Sequence, residues 1–237
     1  MPERIQKILS AHGVASRRKA ESMILAGRIT VGGIPARIGQ SAEFGVDEIE
    51  VDGIPLAPRG KLVYIMLYKP RGYVTSMNDE RGRKTVVSLV EDVGVRVYPV
   101  GRLDLDSEGL VLLTNDGLFA HAVMHPSFHR TKTYDVHVRG DADAAVPLLS
   151  RPMEIDSRLV RAVSVKLIKR TDDGGVLRVE VSEGRNRQIR KMCEQCGIAV
   201  VLLKRVAIGA VSIGFLKSGH WRHLTEEEVL ELRADIG

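Results

Sequence analysis

The sequence predicts an α+β protein in two parts, a small helix-helix-hairpin unit and a larger domain on a mixed, mostly antiparallel sheet. Three observations predict it. In residues 1–58 the hydrophobic pattern reads helix, helix, hairpin and strand, a stretch too short for more than a compact binding unit. Gly53 to Gly60, with Pro55 and Pro58, then breaks the pattern as a linker. From about residue 62 to 237, strand-like runs outnumber helical ones and do not alternate with them regularly, which favours α+β over a wound parallel sheet.

The elements follow in order. Ile5, Ile8 and Leu9 recur at helical spacing within Arg4 to His12, and Gly13 stops the pattern. Ser16 is a good N-cap for a second helix with Ala20, Met23 and Ile24 on its apolar face, ending before Gly27. Arg28 to Val31 reads as a strand, Gly32-Gly33 as a tight turn, and Ile34 to Ile38 as its partner. Glu48 to Asp52 alternates as a further half-buried strand.

In the larger part, Leu62 to Leu67 is an apolar run suited to a buried central strand, closed by Lys69-Pro70-Arg71-Gly72. Val95 to Val100 and Leu110 to Thr114 are strand-like, and Tyr134 to Val138, Ser164 to Ile168 and Leu177 to Val181 alternate. Leu118 to Met124 and Asn186 to Cys196 read as helices. So does Thr225 to Leu232, where Thr225 and Glu228 form a capping box.

Composition narrows the function classes. Hydrophobic residues make up 44% and charged residues 27% of 237 residues. No apolar run approaches the roughly 20 residues that span a bilayer. The opening Met1-Pro2-Glu3-Arg4-Ile5 lacks a secretory pattern, so the cytoplasm is expected. Cys193 and Cys196 are the only cysteines, too few for a disulfide framework or a structural zinc, and are expected to be ordinary helix residues. His121, His125 and His129 have metal-like spacing, but Pro126 ends the helix between them, so no metal is expected there.

The net charge of +5 suggests an anionic partner, and its distribution says more. Arg4, Lys7, Arg17, Arg18, Lys19 and Arg28 face only Glu3 and Glu21 in residues 1–28. From 29 to 60 the balance reverses, with Glu43, Asp47, Glu48, Glu50 and Asp52 against Arg37 and Arg59. A basic helical face backed by an acidic remainder is an RNA footprint. Aromatics are scarce at 4%, so binding is expected to rest on phosphate contacts rather than on broad stacking.

Two segments carry chemistry. Gly101 to Leu110 packs Arg102, Asp104, Asp106 and Glu108 between two apolar strands. By themselves Asp104 and Asp106 fit a metal pair, glycoside chemistry or simple turn formation. Glu183 to Met192 holds Arg185, Arg187, Arg190 and Lys191, of which the last three share a face on an ideal helix. A phosphate patch, an ion-pair partner for a carboxylate, and a solvated charge run all fit.

Read together, these segments resemble known families. Arg4 to Leu9, Gly13 to Glu21 and Gly27 to Gly33 resemble, in order and spacing, the RNA-binding module named after the fourth small-subunit ribosomal protein, the S-four domain. Gly101-Arg102-Leu103-Asp104 followed by Gly109 to Gly117 resembles the signature of the RsuA-like pseudouridine synthases. Further matches are Lys69 to Gly72, Lys132-Thr133-Tyr134, Glu183 to Met192 and Leu203 to Gly209. Lys69 to Ser76, Asp79, Arg83 to Val87 and Arg185 to Arg187 lean towards the RluB type, which acts on 23S rRNA, although the 16S branch shares most of them.

The resemblance implies the isomerisation of a uridine in ribosomal RNA, with no metal and no cofactor. It assigns the nucleophile or charge stabiliser at the sugar to Asp104, the ion pair that keeps Asp104 ionised to Arg190, and the aromatic that stacks on the flipped uracil to Tyr134. Arg102 is expected to enter the gap left by the extruded nucleotide. Arg17, Arg18 and Lys19 are expected to meet phosphates, with Arg185, Arg187 and Lys191 as further RNA contacts. Asp106 and Glu108 receive no chemical role. A monomer is expected, as nothing resembles a dimerisation seam. Two rivals fit similar residues: a non-enzymatic rRNA assembly factor, disfavoured by intact Asp104, Tyr134 and Arg190, and a hydrolytic N-glycosidase, which would release free uracil.

Overall fold

The computed structural model describes residues 1–128 and 130–233. The chain divides into two units, Met1–Val63 with Asn115–Gly117, and Tyr64–Thr114 with the chain from Leu118 onwards. In the first, helices α1 (Ile5–Ala11) and α2 (Arg17–Leu25) bury Ile5, Ile8, Leu9, Ala20, Met23 and Ile24 against Ile29 and Ile49. This is the stripe that the 3.6-residue period requires. Ser16 caps α2, its hydroxyl accepting from the Lys19 amide at 3.2 Å.

A four-stranded sheet follows, in the order Ile34–Pro35, Ile29–Val31, Ile49–Val51, Ile54–Pro55. The last strand corrects the expected linker. Asp52 (φ 53°) and Gly53 (φ 77°) are both left-handed, and Val51 pairs with Ile54. Asp-Gly supplies the primed turn that a two-residue hairpin needs, so regular structure continues to Pro55 and only residues 56–63 lack it.

The second unit is built on a mixed, mostly antiparallel sheet, as expected. Its strands run in the order Ser164–Thr171, Gly174–Val181, Lys132–Arg139, Ala199–Ile208, Glu108–Thr114, Tyr64–Lys69, Trp221–His223. Helix α3 (Gly117–Met124) falls where the periodicity puts it. Helix α4 (Ala142–Leu149) contains Pro147 and was not legible in the sequence; Asp141 caps it. Helices α5 (Gln188–Gln195) and α6 (Glu226–Arg233) again follow the periodicity. The capping box of α6 forms, Thr225 Oγ1 accepting from the Glu228 amide and Glu228 from that of Thr225. No helix among the described residues is long and apolar enough to cross a membrane.

One pairing positions the site. Glu108–Thr114 meets Ala199–Ile208 in parallel only at Glu108↔Lys204 and Gly109↔Arg205. Beyond that point the same edge is taken by the strand Tyr98–Val100, with Val100 opposite Leu112. A strand has only two edges, so the parallel neighbours must part there and leave a cleft. Gly109 permits the contact: its φ is +108°, and a Cβ would lie 2.2 Å from the Arg205 carbonyl oxygen, which excludes any larger residue.

Candidate active site

The connection Gly101–Ser107 crosses the mouth of this cleft, and buried polar groups hold its backbone from below. Thr75 Oγ1 donates to the Leu103 carbonyl at 2.8 Å and accepts from the Leu103 amide at 3.2 Å. Lys69, fully buried, donates to the carbonyls of Pro70 (3.1 Å), Asp104 (2.9 Å) and Ser107 (2.7 Å). Burial pushes its ammonium down to about 8, against the pull of Asp104, Asp106 and Glu108. Arg205 donates through Nε to Leu110 O at 2.7 Å and through Nη1 to Arg102 O at 3.5 Å. With its carbonyls satisfied, the loop carries the Asp104 carboxylate on a fixed backbone.

The charges over the loop differ from the expected pairing. Arg190 meets Asp106, not Asp104: Nη2 lies 3.2 Å from Asp106 Oδ2 and donates to Asp106 O at 3.3 Å. Arg187 takes the place beside Asp104, with Nη1 3.8 Å from Asp104 Oδ2 and 3.2 Å from Asp106 Oδ2. The reason is local. Helix α5 begins at Gln188, and Arg187 before it is left-handed at φ 51°, which carries it out of the helical register. Arg187 and Arg190 still converge on Asp106, whereas Lys191, expected on the same face, turns away to Asp156. Burial pushes the Asp106 carboxyl up, but Arg187 and Arg190 outweigh it and hold the group below its usual range.

A cleft of about 600 Å³ opens between this loop, the strand Lys132–Arg139 and the segment before α5, lined among others by Arg102, Asp104, Lys132, Tyr134, Arg185 and Arg187. Tyr134, 7% exposed, lies opposite Arg205 on the next strand, and Lys132 stands two residues along the same sheet face. Burial and the nearby Arg205 charge lower the Lys132 ammonium from its ordinary range.

The fold thus brings Arg102, Asp104, Tyr134, Arg185 and Arg187 to one cleft. Arg190 supports the loop from the flank, and Lys191 lies apart. Arg17, Arg18 and Lys19 are exposed at the start of α2. Sequence reasoning gave no role to Thr75, Lys69, Lys132 or Arg205. A lysine closing the apolar run from Leu62 was the available signal for Lys69, since a buried ammonium demands acceptors. The His121 and His125 ring centroids lie 4.7 Å apart with the rings tilted by 34°, while His129 lies outside the described residues. Among the described residues no group of three or more His, Cys, Asp or Glu is placed to hold a metal. Cys193, buried on α5, and Cys196 carry free thiols.

Comparison with known proteins identifies the family. Residues 63–195 match the RNA pseudouridylate synthase family and residues 3–44 match the S4 domain. The chain is 39% identical to the ribosomal large subunit pseudouridine synthase B of Bacillus subtilis over 98% of its own length and 96% of that protein. It is 38% identical to an RNA pseudouridine synthase of Aquifex aeolicus, covering all of this chain and 96% of the relative. Among solved structures, a pseudouridylate synthase superposes with a TM-score of 0.67 at 28% identity, over 97% of this chain and 99% of that one.

Proposed function

Because the chain belongs to the RNA pseudouridylate synthase family and carries an RNA-binding S4 domain beside the catalytic one, we propose that it isomerises one uridine of 23S rRNA to pseudouridine. The likeness to a large-subunit synthase over nearly the full length of both chains supports the choice of RNA. The reaction is neutral overall: the bond from ribose to the ring nitrogen breaks, a bond to carbon 5 forms, and the proton of carbon 5 leaves while the nitrogen gains one.

The observation that carries the reading is the placement of Asp104. Its side chain is 38% exposed at the cleft, while its own carbonyl is held by buried Lys69. A carboxylate on a rigid backbone, open to substrate and 3.8 Å from a guanidinium, suits the positive charge that develops at an anomeric carbon. Arg187 places a positive charge beside it. Tyr134 offers its ring to the extruded uracil, and Arg102 fills the space that the base leaves. Arg185 at the rim and Arg17, Arg18 and Lys19 on α2 take phosphates. Lys191, already paired with Asp156, is a weaker candidate for that task. On this reading the protein works as a monomer, and a ribosomal substrate sets the work in the cytoplasm.

The test is a map of pseudouridines across 23S and 16S rRNA, by carbodiimide adduct and primer extension, in cells with and without the gene. One site lost from 23S rRNA, restored by the wild-type gene and not by Asp104→Ala, is the expected result. A site lost from 16S rRNA instead overturns the choice of subunit, and no lost site in either RNA favours a binding factor. Free uracil among the products would mark a hydrolase.

A further inference from the structure

We propose that Lys132 is a further catalytic residue, whose ammonium group stabilises the negative charge on the uracil while the base is detached from the ribose. The inference rests on the reading of this cleft as the seat of uridine isomerisation and adds a charge to its other side.

Lys132 and Arg205 are cations of the cleft wall without a carboxylate partner among the described residues. The hydrogen bond of Lys132 Nζ is a long one, 3.4 Å to the Ser182 carbonyl. Arg205 is 4% exposed, and its Nη2 is buried with no partner. The Arg205 charge adds to burial in disfavouring the Lys132 ammonium. Lys69, the third buried cation nearby, differs: Asp104, Asp106 and Glu108 all favour its charge, and three carbonyls accept from it. Two neighbouring cations, one buried and one partly buried, without a carboxylate partner are costly unless an anion arrives.

The chemistry supplies that anion at the right place. When the bond to ribose breaks, its electron pair leaves with the ring nitrogen, and the charge spreads over that nitrogen and the two carbonyl oxygens of the base. Asp104 faces the electron-poor sugar. A base lying on Tyr134 has Lys132 two residues along the strand on the same face and Arg205 directly across on the neighbouring strand. The charge persists until carbon 5 bonds to the sugar, gives up its proton, and the nitrogen takes one. A fixed cation at such a site favours the detached state over bound uridine, which is the requirement for catalysis.

The test uses the full-length protein at saturating enzyme, in single turnover, on 23S rRNA transcripts that contain either uridine or 5-fluorouridine. Fluorine withdraws electrons, so 5-fluorouracil leaves with less help. Lys132→Met is expected to slow pseudouridine formation about 100-fold, with transcript affinity within a few-fold of wild type. The same variant is expected to slow consumption of 5-fluorouridine much less, and Lys132→Arg is expected to restore part of the uridine rate. Equal slowing of both substrates, or an effect confined to affinity, overturns the proposal; the latter marks a phosphate contact. If Lys132→Met melts early, Lys132→Gln is judged by the same substrate comparison, which a folding defect does not imitate. Wild-type protein inactive on 23S and 16S transcripts alike would sink the reading of the cleft itself, and this inference with it.

Discussion

Asp106 and Arg190 form the ion pair that braces the Gly101–Ser107 loop, 3.2 Å apart, with the arginine side chain 12% exposed and the aspartate 42%. Arg187 shares the same carboxylate oxygen at 3.2 Å and stands 3.8 Å from Asp104. Asp106 therefore sets where the Arg187 charge sits, and through it the field at Asp104. Asp106→Asn keeps the shape and removes the charge. The single-turnover rate should fall about tenfold while RNA affinity holds, and stability should drop by about 1 kcal/mol, since half-exposed pairs contribute little. A wild-type rate would return Asp106 to the role of a plain surface residue.

How much of this was legible in sequence differs by level. The α+β class, helices α1 and α2 and the Ser16 cap were readable, because apolar period and cap chemistry act within a few residues. The cleft residues Asp104, Tyr134 and Arg187 came from ordered motifs rather than from any local rule. The pairing of Arg190 was misassigned because one left-handed residue, Arg187, shifts which side chain faces which carboxylate. Backbone handedness at a non-glycine residue leaves little trace in sequence. Lys69, Lys132 and Arg205 went without roles because their partners lie on other strands, and cross-strand register is fixed only by the assembled sheet.

Lys69 should matter for folding more than for chemistry. Its ammonium satisfies three carbonyls around the loop, and Lys69→Met fills the volume without donating. Leaving these acceptors short of donors should cost about 3 kcal/mol, read as a lower urea midpoint with an unchanged slope. An unchanged midpoint would show that the loop does not depend on this lysine.

Cys193 gives a pH dependence with a definite sign. Burial, helped by Cys196 and opposed by Arg190, pushes its thiol up to about 12 from 9.0. Between those values the unfolded chain has lost the thiol proton and the folded chain keeps it. The folded state then binds more protons, so stability falls as pH rises, by up to about 1.4 kcal/mol per unit. Urea melts of wild type and Cys193→Ala at pH 8.5 and 10.5 should show the gap between them shifting against wild type at the higher pH. A constant gap would mean that the thiol titrates in the folded state much as it does in the unfolded one.

The N-terminal cations are tested through salt. Arg17, Arg18 and Lys19 stand exposed on the first turn of α2, where positive charge opposes the helix dipole and costs a few tenths of a kcal/mol or more per residue. That arrangement makes sense if phosphates neutralise it. Replacing all three with Gln should leave thermal stability equal or slightly higher, because the unfavourable charge is gone. It should also weaken binding to rRNA and reduce the slope of log K against log salt by about 2 to 3, one condensed counterion for each phosphate that is no longer neutralised. The two readouts separate the cases: a lower slope with retained stability identifies these residues as phosphate ligands, whereas an unchanged slope removes α2 from the RNA interface and leaves the cleft-side arginines to carry it.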